Sequence, residues 1–275
     1  MNQILNDASL TEEEFREVRT AVIEPKYVNL AGRQVIPVRK VSIGRQEYGF
    51  DILSDLGLAD VIKKATNFPG LDINKARTLI PILKHGVAFK IAREDLLSSR
   101  EYGEPLNTVM ARSASRLTQN KENDTIVLQN ALFGVNGLYN GAGATQAGGD
   151  WGTVANIMTN LLAAMGQMGD AFEPTDLLLH KDQYLQLFQR VSASDLTEYD
   201  KILKLGITPR KDRSMTAGTG LLMQSGADIA ELIVAEDLDI EEDYKLENQS
   251  YSFNTFLRSV PVIYAPTALC TLTGI

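Results

Sequence analysis

The chain contains 275 residues, of which 44% are hydrophobic and 23% are charged, and its formal net charge is −8. This balance excludes a disordered chain, and the negative charge disfavours a protein that binds nucleic acid tightly through many phosphate contacts. One cysteine and two histidines exclude a disulfide-rich scaffold and leave little material for a histidine-based metal site or catalytic triad. Neither a transmembrane span nor a signal peptide is predicted, because no apolar run is long enough and residues 1–10 are polar.

The N-terminal region predicts a short helix followed by a strand. Thr11 and Glu14 have the spacing of a capping box, and apolar residues recur at helical spacing until Pro25, which predicts a helix over residues 12–23. This helix packs on its own core or docks on a neighbouring subunit. Residues 35–43 are rich in β-branched side chains and predict a strand, whose interspersed basic residues indicate a solvated face.

Residues 47–91 predict a long two-stranded excursion with an irregular tip. Residues 86–91 alternate apolar and polar side chains as a strand does, and residues 63–77 contain several turn-forming residues. Two strands isolated from a larger sheet are only marginally stable in water. We therefore expect the excursion to fold back on its own domain or to lie on something else.

One long helix is predicted next. Pro105 has the position of a first helical residue, no Gly or Pro occurs in residues 106–133, and Gly134 ends the segment. A helix of about 28 residues is roughly 42 Å long. Its first apolar stripe ends at Leu117, whereas residues 118–124 are polar on all sides. The middle of the helix is therefore expected to face solvent or to pack on a polar surface.

The second half of the chain predicts a compact α/β unit closed by strands. Residues 135–150 are rich in glycine and predict a loop, but they lack the spacing of a phosphate-binding motif. The other predicted elements are helices over 151–168 and 182–191, a buried strand over 176–180, a surface loop over 192–205, strands over 220–224, 230–235 and 251–264, and a final apolar segment over 268–275.

No group of residues carries a catalytic motif, so we predict no enzymatic activity and no catalytic, cofactor or metal site. His180 follows a predicted strand and is interpreted as a cap of the next turn. The carboxylates of residues 236–243 lack the glycine and the final glutamate of a calcium-binding loop, and they are interpreted as a solvated acidic turn. Cys270 lies in an apolar segment and is expected to be a buried, inert thiol.

The order of these elements resembles the HK97-like shell fold of tailed-virus major capsid proteins and encapsulins. In that fold an N-terminal arm, a long hairpin, one long helix, an α/β unit and closing strands follow one another as they do here. The local sequences that resemble the family are residues 10–15, 30–33, 80–96, 133–139, 236–240 and 262–269.

The resemblance implies an α+β protein with four parts. These are an N-terminal arm and helix (1–46), an E-loop (47–92), a P-domain (93–140 and 236–262) with a spine helix over 105–133, and an α/β A-domain (141–235 and 263–275). The resemblance also implies that the E-loop contacts an adjacent subunit, and the expected contact residues are Leu53, Leu56, Leu58, Ile62, Phe68, Leu71 and Ile73.

The function implied by the resemblance is self-assembly of pentamers and hexamers into an icosahedral shell. The preferred hypothesis is the major capsid protein of a bacteriophage virion, assembled in the host cytoplasm. It would enclose double-stranded DNA without tight binding and work with a portal and with scaffold or decoration proteins. The alternative is an encapsulin, which encloses cargo enzymes docked by a tail peptide under the N-terminal helix. An α/β enzyme of unknown chemistry is a third hypothesis, which particle formation would exclude.

Overall fold

The structure is a computed structural model that describes residues 16, 18–20, 30–56, 72–92, 94, 98, 101, 109–192, 195–245 and 250–275. Residues 16 and 18–20 are helical, as predicted for this part of the arm. The other helices of the described residues are α1 (Gly32–Val35), α2 (Val109–Val127), α3 (Val154–Gln167), α4 (Lys181–Gln186) and α5 (Glu198–Lys204), with 3-10 turns at Ala131–Phe133 and Pro266–Ala268. The strands are β1 (Val38–Lys40), β2 (Glu47–Leu56), β3 (Asp72–Pro81), β4 (Leu83–Ala92), β5 (Gln129–Asn130), β6 (Val135–Asn136), β7 (Ala144–Ala147), β8 (Asp176–Leu179), β9 (Thr208–Lys211), β10 (Thr219–Met223), β11 (Ala230–Lys245), β12 (Ser250–Ile263) and β13 (Leu269–Thr273).

A four-stranded sheet in the order β1-β11-β12-β4 forms one half of the molecule. Strand β1 is parallel to β11, and the other pairs are antiparallel. Helix α2 packs on one face of this sheet through Ala111 and Ala114, against the stacked rings of Phe89 and Phe253. Val18 of the N-terminal helical residues is buried in the same cluster. The apolar side chain of the predicted N-terminal helix therefore packs on the core of its own chain.

A five-stranded sheet in the order β7-β13-β10-β8-β9 forms the other half. Leu177 and Leu179 of β8 join a core with helix α3 and Ile202 of α5, whereas Leu178 between them joins a second core on the opposite face. Because apolar groups cover both faces, β8 is a continuous apolar run rather than an alternating one. The prediction of a buried strand over residues 176–180 is confirmed at residues 176–179.

The hairpin is shorter than predicted. Strands β2 and β3 pair with each other in an antiparallel ribbon from Glu47 opposite Pro81 to Leu56 opposite Asp72. Strand β4 pairs instead with β12 in the four-stranded sheet. The alternation of residues 86–91 correctly indicates a half-buried strand, but alternation does not identify the pairing partner. The predicted two-stranded excursion over residues 47–91 is therefore wrong after Pro81.

The long helix also ends earlier than predicted. Helix α2 ends at Val127, not at residue 133, and residues 102–108 before it lie outside the described part of the chain. The chain doubles back, so that the N–H groups of Gly137, Leu138 and Tyr139 donate to carbonyls at the helix end. A Cβ atom on Gly137 would lie within 2.7 Å of the carbonyl oxygens of Thr125, Ile126 and Leu128. The close approach therefore requires glycine, and it ends the helix by capturing its carbonyls.

Three further segments differ from the sequence-based expectations. The surface loop predicted over 192–205 contains helix α5, which Thr197 caps by accepting a hydrogen bond from the Asp200 N–H. The glycine-rich loop predicted over 135–150 contains strands β6 and β7, and the acidic turn predicted over 236–243 lies within strand β11. The division of the chain into arm, E-loop, P-domain and A-domain stays a prediction. The four-stranded sheet already includes residues 230–235, which that prediction assigns to the A-domain.

Candidate functional site

The polar middle of α2 is buried against polar groups, which is the second of the two alternatives that the sequence predicts. Ser115, Thr118, Glu122 and Asn123 are all inaccessible, whereas Leu117 is 51% exposed. The sequence shows the polar run but does not reveal that the surface facing it is also polar. The run itself was the available signal, because a polar segment between two apolar stripes of one helix requires polar partners.

Glu122 is the centre of a buried ion pair. The guanidinium of Arg33 donates from Nε and Nη2 to the two carboxylate oxygens of Glu122, each at 2.8 Å. The hydroxyl of Ser259 in β12 donates to the same carboxylate at 2.7 Å. Burial by itself lowers the pKa of Arg33, but the hydrogen bonds and charge of Glu122 outweigh it and raise the pKa above its usual value. The pair therefore ties α1 to α2 and, through Ser259, to the sheet.

Asn123 fixes the backbone at the start of α1. Its Oδ1 accepts from the Gly32 N–H at 2.9 Å, and its Nδ2 donates to both carboxylate oxygens of Asp212. Asp212 also accepts from the Ala31 N–H at 2.9 Å. A Cβ atom on Gly32 would lie 2.7 Å from Asn123 Oδ1, so this contact requires glycine. The loop after β9 therefore holds residues 31 and 32 against the long helix.

The basic residues of β1 are exposed, as predicted, whereas the carboxylates of residues 236–243 lie in strand β11 rather than in a turn. Because β1 lies parallel to β11, Lys40 reaches Asp237 at 2.5 Å, and Arg33 reaches Asp237 at 3.4 Å. Arg39 pairs with Glu231 at 3.4 Å. The hydrogen bond from Lys40 lowers the pKa of Asp237. Basic and acidic segments that are far apart in sequence thus neutralise each other.

A cleft of about 410 Å³ lies beside this ion-pair network, between α1, α2 and β11. Its apolar lining includes Leu30, Ile126 and Leu238, and Arg33 and Asp237 supply charge. Arg19, in the N-terminal helical residues, pairs with Asp239 at 3.3 Å, two residues beyond Asp237 on β11. The remaining lining residues are Gln34, Gln119, Glu122, Asn123 and Leu257. This cleft therefore combines an apolar floor with charges of both signs.

On the opposite face of the four-stranded sheet, the side formed by strand β4 is exposed among the residues that the structure describes. Lys84, Gly86, Ala88 and Lys90 alternate along β4 and are exposed. The Lys84 ammonium lies 3.5 Å from the centre of the Phe256 ring, in a cation–π contact. Open grooves of about 370 and 620 Å³ flank this contact. The face offers small side chains and two cations to another molecule.

The structure describes only part of the predicted E-loop contact set. Leu53, Leu56 and Ile73 lie in the paired strands of the hairpin, where Leu53 is opposite Lys75 and Ile73 is opposite Asp55. The other four predicted contact residues, Leu58, Ile62, Phe68 and Leu71, lie outside the described residues. At the base of the hairpin, Tyr48 is buried and Phe50 meets the ring of Tyr264 edge-on at 5.1 Å.

His180 and Cys270, which the sequence offers as reactive side chains, have structural roles. His180 caps α4 by accepting from the Asp182 N–H at 3.3 Å, as interpreted from the sequence. Cys270 is fully buried, and burial raises the pKa of its thiol. Within the described ranges, no cluster of His, Cys, Asp and Glu is arranged to hold a metal ion, and no helix is long and apolar enough to cross a membrane.

The sequence of the chain matches a protein family along most of its length. A profile of the family described as "Encapsulating protein for peroxidase" (Linocin_M18) matches residues 2–254. The chain belongs to this family. The type 1 encapsulin shell protein EncA of Myxococcus xanthus (strain DK1622) is 23% identical over 273 residues, which are 96% of this chain and 94% of that protein.

Solved structures with similar folds are shells of the same general kind. The virus-like particle from Pyrococcus furiosus has a TM-score of 0.73 and 15% identity, covering 95% of this chain and 100% of that one. The capsid of Myoviridae phage XM1 has a TM-score of 0.69 and 13% identity, covering 97% of this chain and 99% of that one. The chain therefore has the HK97-like fold predicted from the order of its elements.

This member of the encapsulating-protein family is a shell-forming protein that assembles with copies of itself. The sequence-based preference for a DNA-packaging virus head is not supported, because the family match and the encapsulin relative favour the alternative. The phage capsids share the fold at low identity and carry no weight for a virion. Portal, scaffold and packaged DNA have no support among these findings.

Proposed function

We propose that the protein is the shell subunit of an encapsulin nanocompartment that encloses a cargo enzyme. The observation that carries this proposal is the family match over residues 2–254, and the family description refers to encapsulating a peroxidase. The absence of a catalytic constellation in the sequence is consistent with a container whose chemistry belongs to its contents. Analysis of the contents of purified shells identifies the class of cargo enzyme.

The cleft between α1, α2 and β11 is the proposed docking site for a tail segment of the cargo. Its lining by Leu30, Ile126 and Leu238 suits an extended peptide with apolar side chains. Arg33 and Asp237 at the same cleft suit one anionic and one cationic group, although each already has a partner within the chain. Affinity would therefore come mainly from apolar burial, and the charges would set orientation.

The exposed β4 side of the four-stranded sheet is the proposed acceptor for the hairpin of an adjacent copy. The β2–β3 ribbon forms its own two-stranded sheet and requires a further contact for stability. The small side chains of Gly86 and Ala88 allow close approach, and Lys84 and Lys90 face outward beside them. Such a contact is heterologous, so it repeats around the axes of a closed shell.

The test is purification of the shell from its native host, followed by analysis of its contents. Closed particles that contain protein and lack nuclease-protected DNA are expected. Leu238→Asp places a charge in the cleft and should leave the particles intact while removing most of the cargo protein. Leu162→Asp is the matched control, because Leu162 is an exposed leucine of α3 that does not line the cleft. Particles of Leu238→Asp that retain full cargo would overturn the docking site, and DNA-filled particles would overturn the compartment.

A further inference from the structure

A chain of polar groups connects the base of the hairpin to the rest of the molecule. Tyr264, which directly follows β12, donates its hydroxyl proton to Glu231 of β11 at 2.9 Å. The Tyr48 hydroxyl, in the second residue of β2, lies 3.3 Å from the Tyr264 hydroxyl. Arg39 of β1 contacts the same Glu231 oxygen at 3.4 Å. These four residues, Arg39, Tyr48, Glu231 and Tyr264, are called the hairpin latch.

The direction of the hydrogen bonds in the latch follows from proton counting. A hydroxyl group has one proton, and Tyr264 uses its O–H to donate a hydrogen bond to the carboxylate. The Tyr264 oxygen therefore accepts the hydrogen bond from the Tyr48 hydroxyl. The side chain of Glu231 is only 12% exposed and forms an ion pair with Arg39 at 3.4 Å. Burial, followed by the hydrogen bonds with Tyr48 and Glu231, raises the pKa of Tyr264 above its usual value. The Tyr264 hydroxyl therefore keeps its proton at neutral pH and remains the donor to Glu231.

The latch acts at the pivot of the hairpin. Tyr48 is buried, Phe50 packs edge-on against the Tyr264 ring, and the Ile82 N–H donates to the Gln46 carbonyl at 2.8 Å. The strands beyond the pivot pair only with each other among the described residues. The angle at which the ribbon leaves the body is thus set by a few contacts near Tyr48, and a small rotation there is amplified along ten residues of strand.

We propose that the hairpin latch is a positioning device that sets the angle of the hairpin and thereby the geometry of the assembled shell. This inference rests on the proposed contact between the hairpin and an adjacent copy. Both tyrosine hydroxyls have their hydrogen-bond partners within the subunit, so the latch does not require a direct contact between either hydroxyl and the adjacent copy. The latch therefore acts through the direction of the ribbon, and the same ribbon leaving at another angle would favour another curvature or no closure.

The experiment compares Tyr264→Phe with Tyr139→Phe. Tyr264→Phe keeps the ring that meets Phe50 and removes only the hydroxyl at the centre of the latch. Tyr139 is a matched control, since it is also a half-buried tyrosine whose hydroxyl has a side-chain partner, Thr219, and it lies away from the hairpin. The readouts are the particle diameter distribution by electron cryo-microscopy and the critical concentration for assembly by light scattering.

For Tyr264→Phe we expect a broadened or shifted diameter distribution and a critical concentration raised by about tenfold, the size of effect that one or two hydrogen bonds support. Tyr139→Phe should keep the wild-type diameter. A purely structural role would lower the denaturation midpoint of both variants without changing particle geometry. Unchanged diameter and critical concentration in Tyr264→Phe would therefore overturn the latch.

Tyr48→Phe keeps the inference testable if Tyr264→Phe folds poorly, and a double variant tests whether the two hydroxyls act together. Tyr48→Phe removes only the outer donor and should shift assembly in the same direction by a smaller factor. The double variant Tyr48→Phe/Tyr264→Phe should be no worse than Tyr264→Phe alone, because the Tyr48 hydroxyl acts through Tyr264. Additive effects would contradict a single latch. Failure of the wild-type chain to form particles would instead count against the proposed function, so the two failures are distinguishable.

Discussion

At the scale of single residues, the ion pair between Arg33 and Glu122 has two partners in unequal environments. The side chain of Glu122 is 3% exposed, whereas that of Arg33 is 36% exposed and can turn towards water. Removing the cation leaves a buried carboxylate with only Ser259 as a hydrogen-bond donor, and removing the anion leaves a cation that can hydrate. The two substitutions therefore have different costs although they break the same contact.

We predict that Arg33→Met destabilises the subunit by about 3–5 kcal/mol, the cost of isolating a buried charge. Glu122→Gln, which keeps an acceptor for Ser259, should cost about 1–3 kcal/mol. The free energies come from urea unfolding of shells followed by intrinsic fluorescence. An equal loss in the two variants would contradict the assignment of Glu122 as the more deeply buried partner.

His85 gives a prediction about pH. It is buried in β4, and burial lowers the pKa of its imidazole, against the opposing effect of the Glu122 charge; Lys121 adds to the lowering. The unfolded chain binds a proton at a normal histidine pKa of about 6.5. The contribution of neutral His85 is therefore fully present above that pH and is lost as the pH falls towards the lowered pKa of the folded state.

The urea concentration at the unfolding midpoint of the wild-type chain should consequently decrease when the pH is lowered from about 7.5 to about 5.5. The urea midpoint of His85→Gln should decrease less over the same pH range, because this substitution removes the imidazole that titrates. His180→Gln is the matched control and should keep the wild-type pH dependence, since it leaves the buried histidine in place. A wild-type pH dependence in His85→Gln would assign the effect to other groups.

At the scale of elements, α2 packs on the sheet through small, buried side chains, and its opposite, exposed side carries Leu117. Leu117→Ala should change the stability of the unassembled subunit by no more than about 0.5 kcal/mol, because the side chain is exposed. Ala114→Leu adds atoms to the packed cluster around Phe89 and Phe253 and should cost about 1–3 kcal/mol. Denaturation midpoints of the two variants under dissociating conditions check this contrast, and the reverse order would place the wrong face of α2 on the sheet.

The exposed side of the same helix carries a net positive charge. Arg112, Arg116 and Lys121 are exposed, whereas Glu122 is buried and Asp124 is half-buried beside Ser214. The visible charge along α2 is thus positive.

Removal of the hairpin tests the element that is expected to join subunits. Replacing residues 51–77 with a short Gly-Ser link keeps the base at Tyr48 and the strand β4, which belongs to the four-stranded sheet. The variant should fold, because both sheets keep their described strands, but it should not form closed particles. Circular dichroism measures the first property and light scattering the second. Normal particles would show that the hairpin is not needed between copies.

At the scale of the whole molecule, the order of elements predicted the fold better than any single motif did. The buried strand at Leu177–Leu179, the half-buried β4 and the cap at His180 follow from local patterns and are present in the structure. The end of α2 does not follow from periodicity, because it depends on Gly137 approaching carbonyls of the preceding turn. The partner of β4 is a strand more than 150 residues away, which no local pattern specifies.

The buried polar network shows the same limit at the candidate site. Glu122 and Asn123 stood out only as part of a polar run, and their partners Arg33 and Asp212 lie about 90 residues away in opposite directions along the chain. The pairing of Lys40 with Asp237 depends on the parallel register of β1 and β11. The charged segments are exposed, as the sequence indicates, but their ion-pair partners could not be predicted because they are distant along the chain.

The central claim is that this chain closes into a shell around protein. Electron cryo-microscopy of particles purified from the native host, with icosahedral averaging and analysis of their contents, tests it most directly. The account predicts closed shells in which one hairpin lies on the β4 face of the adjacent copy, with additional peptide density in the cleft between α1, α2 and β11 and protein inside. A monomeric chain, or particles with a portal at one vertex and packaged DNA inside, would contradict it.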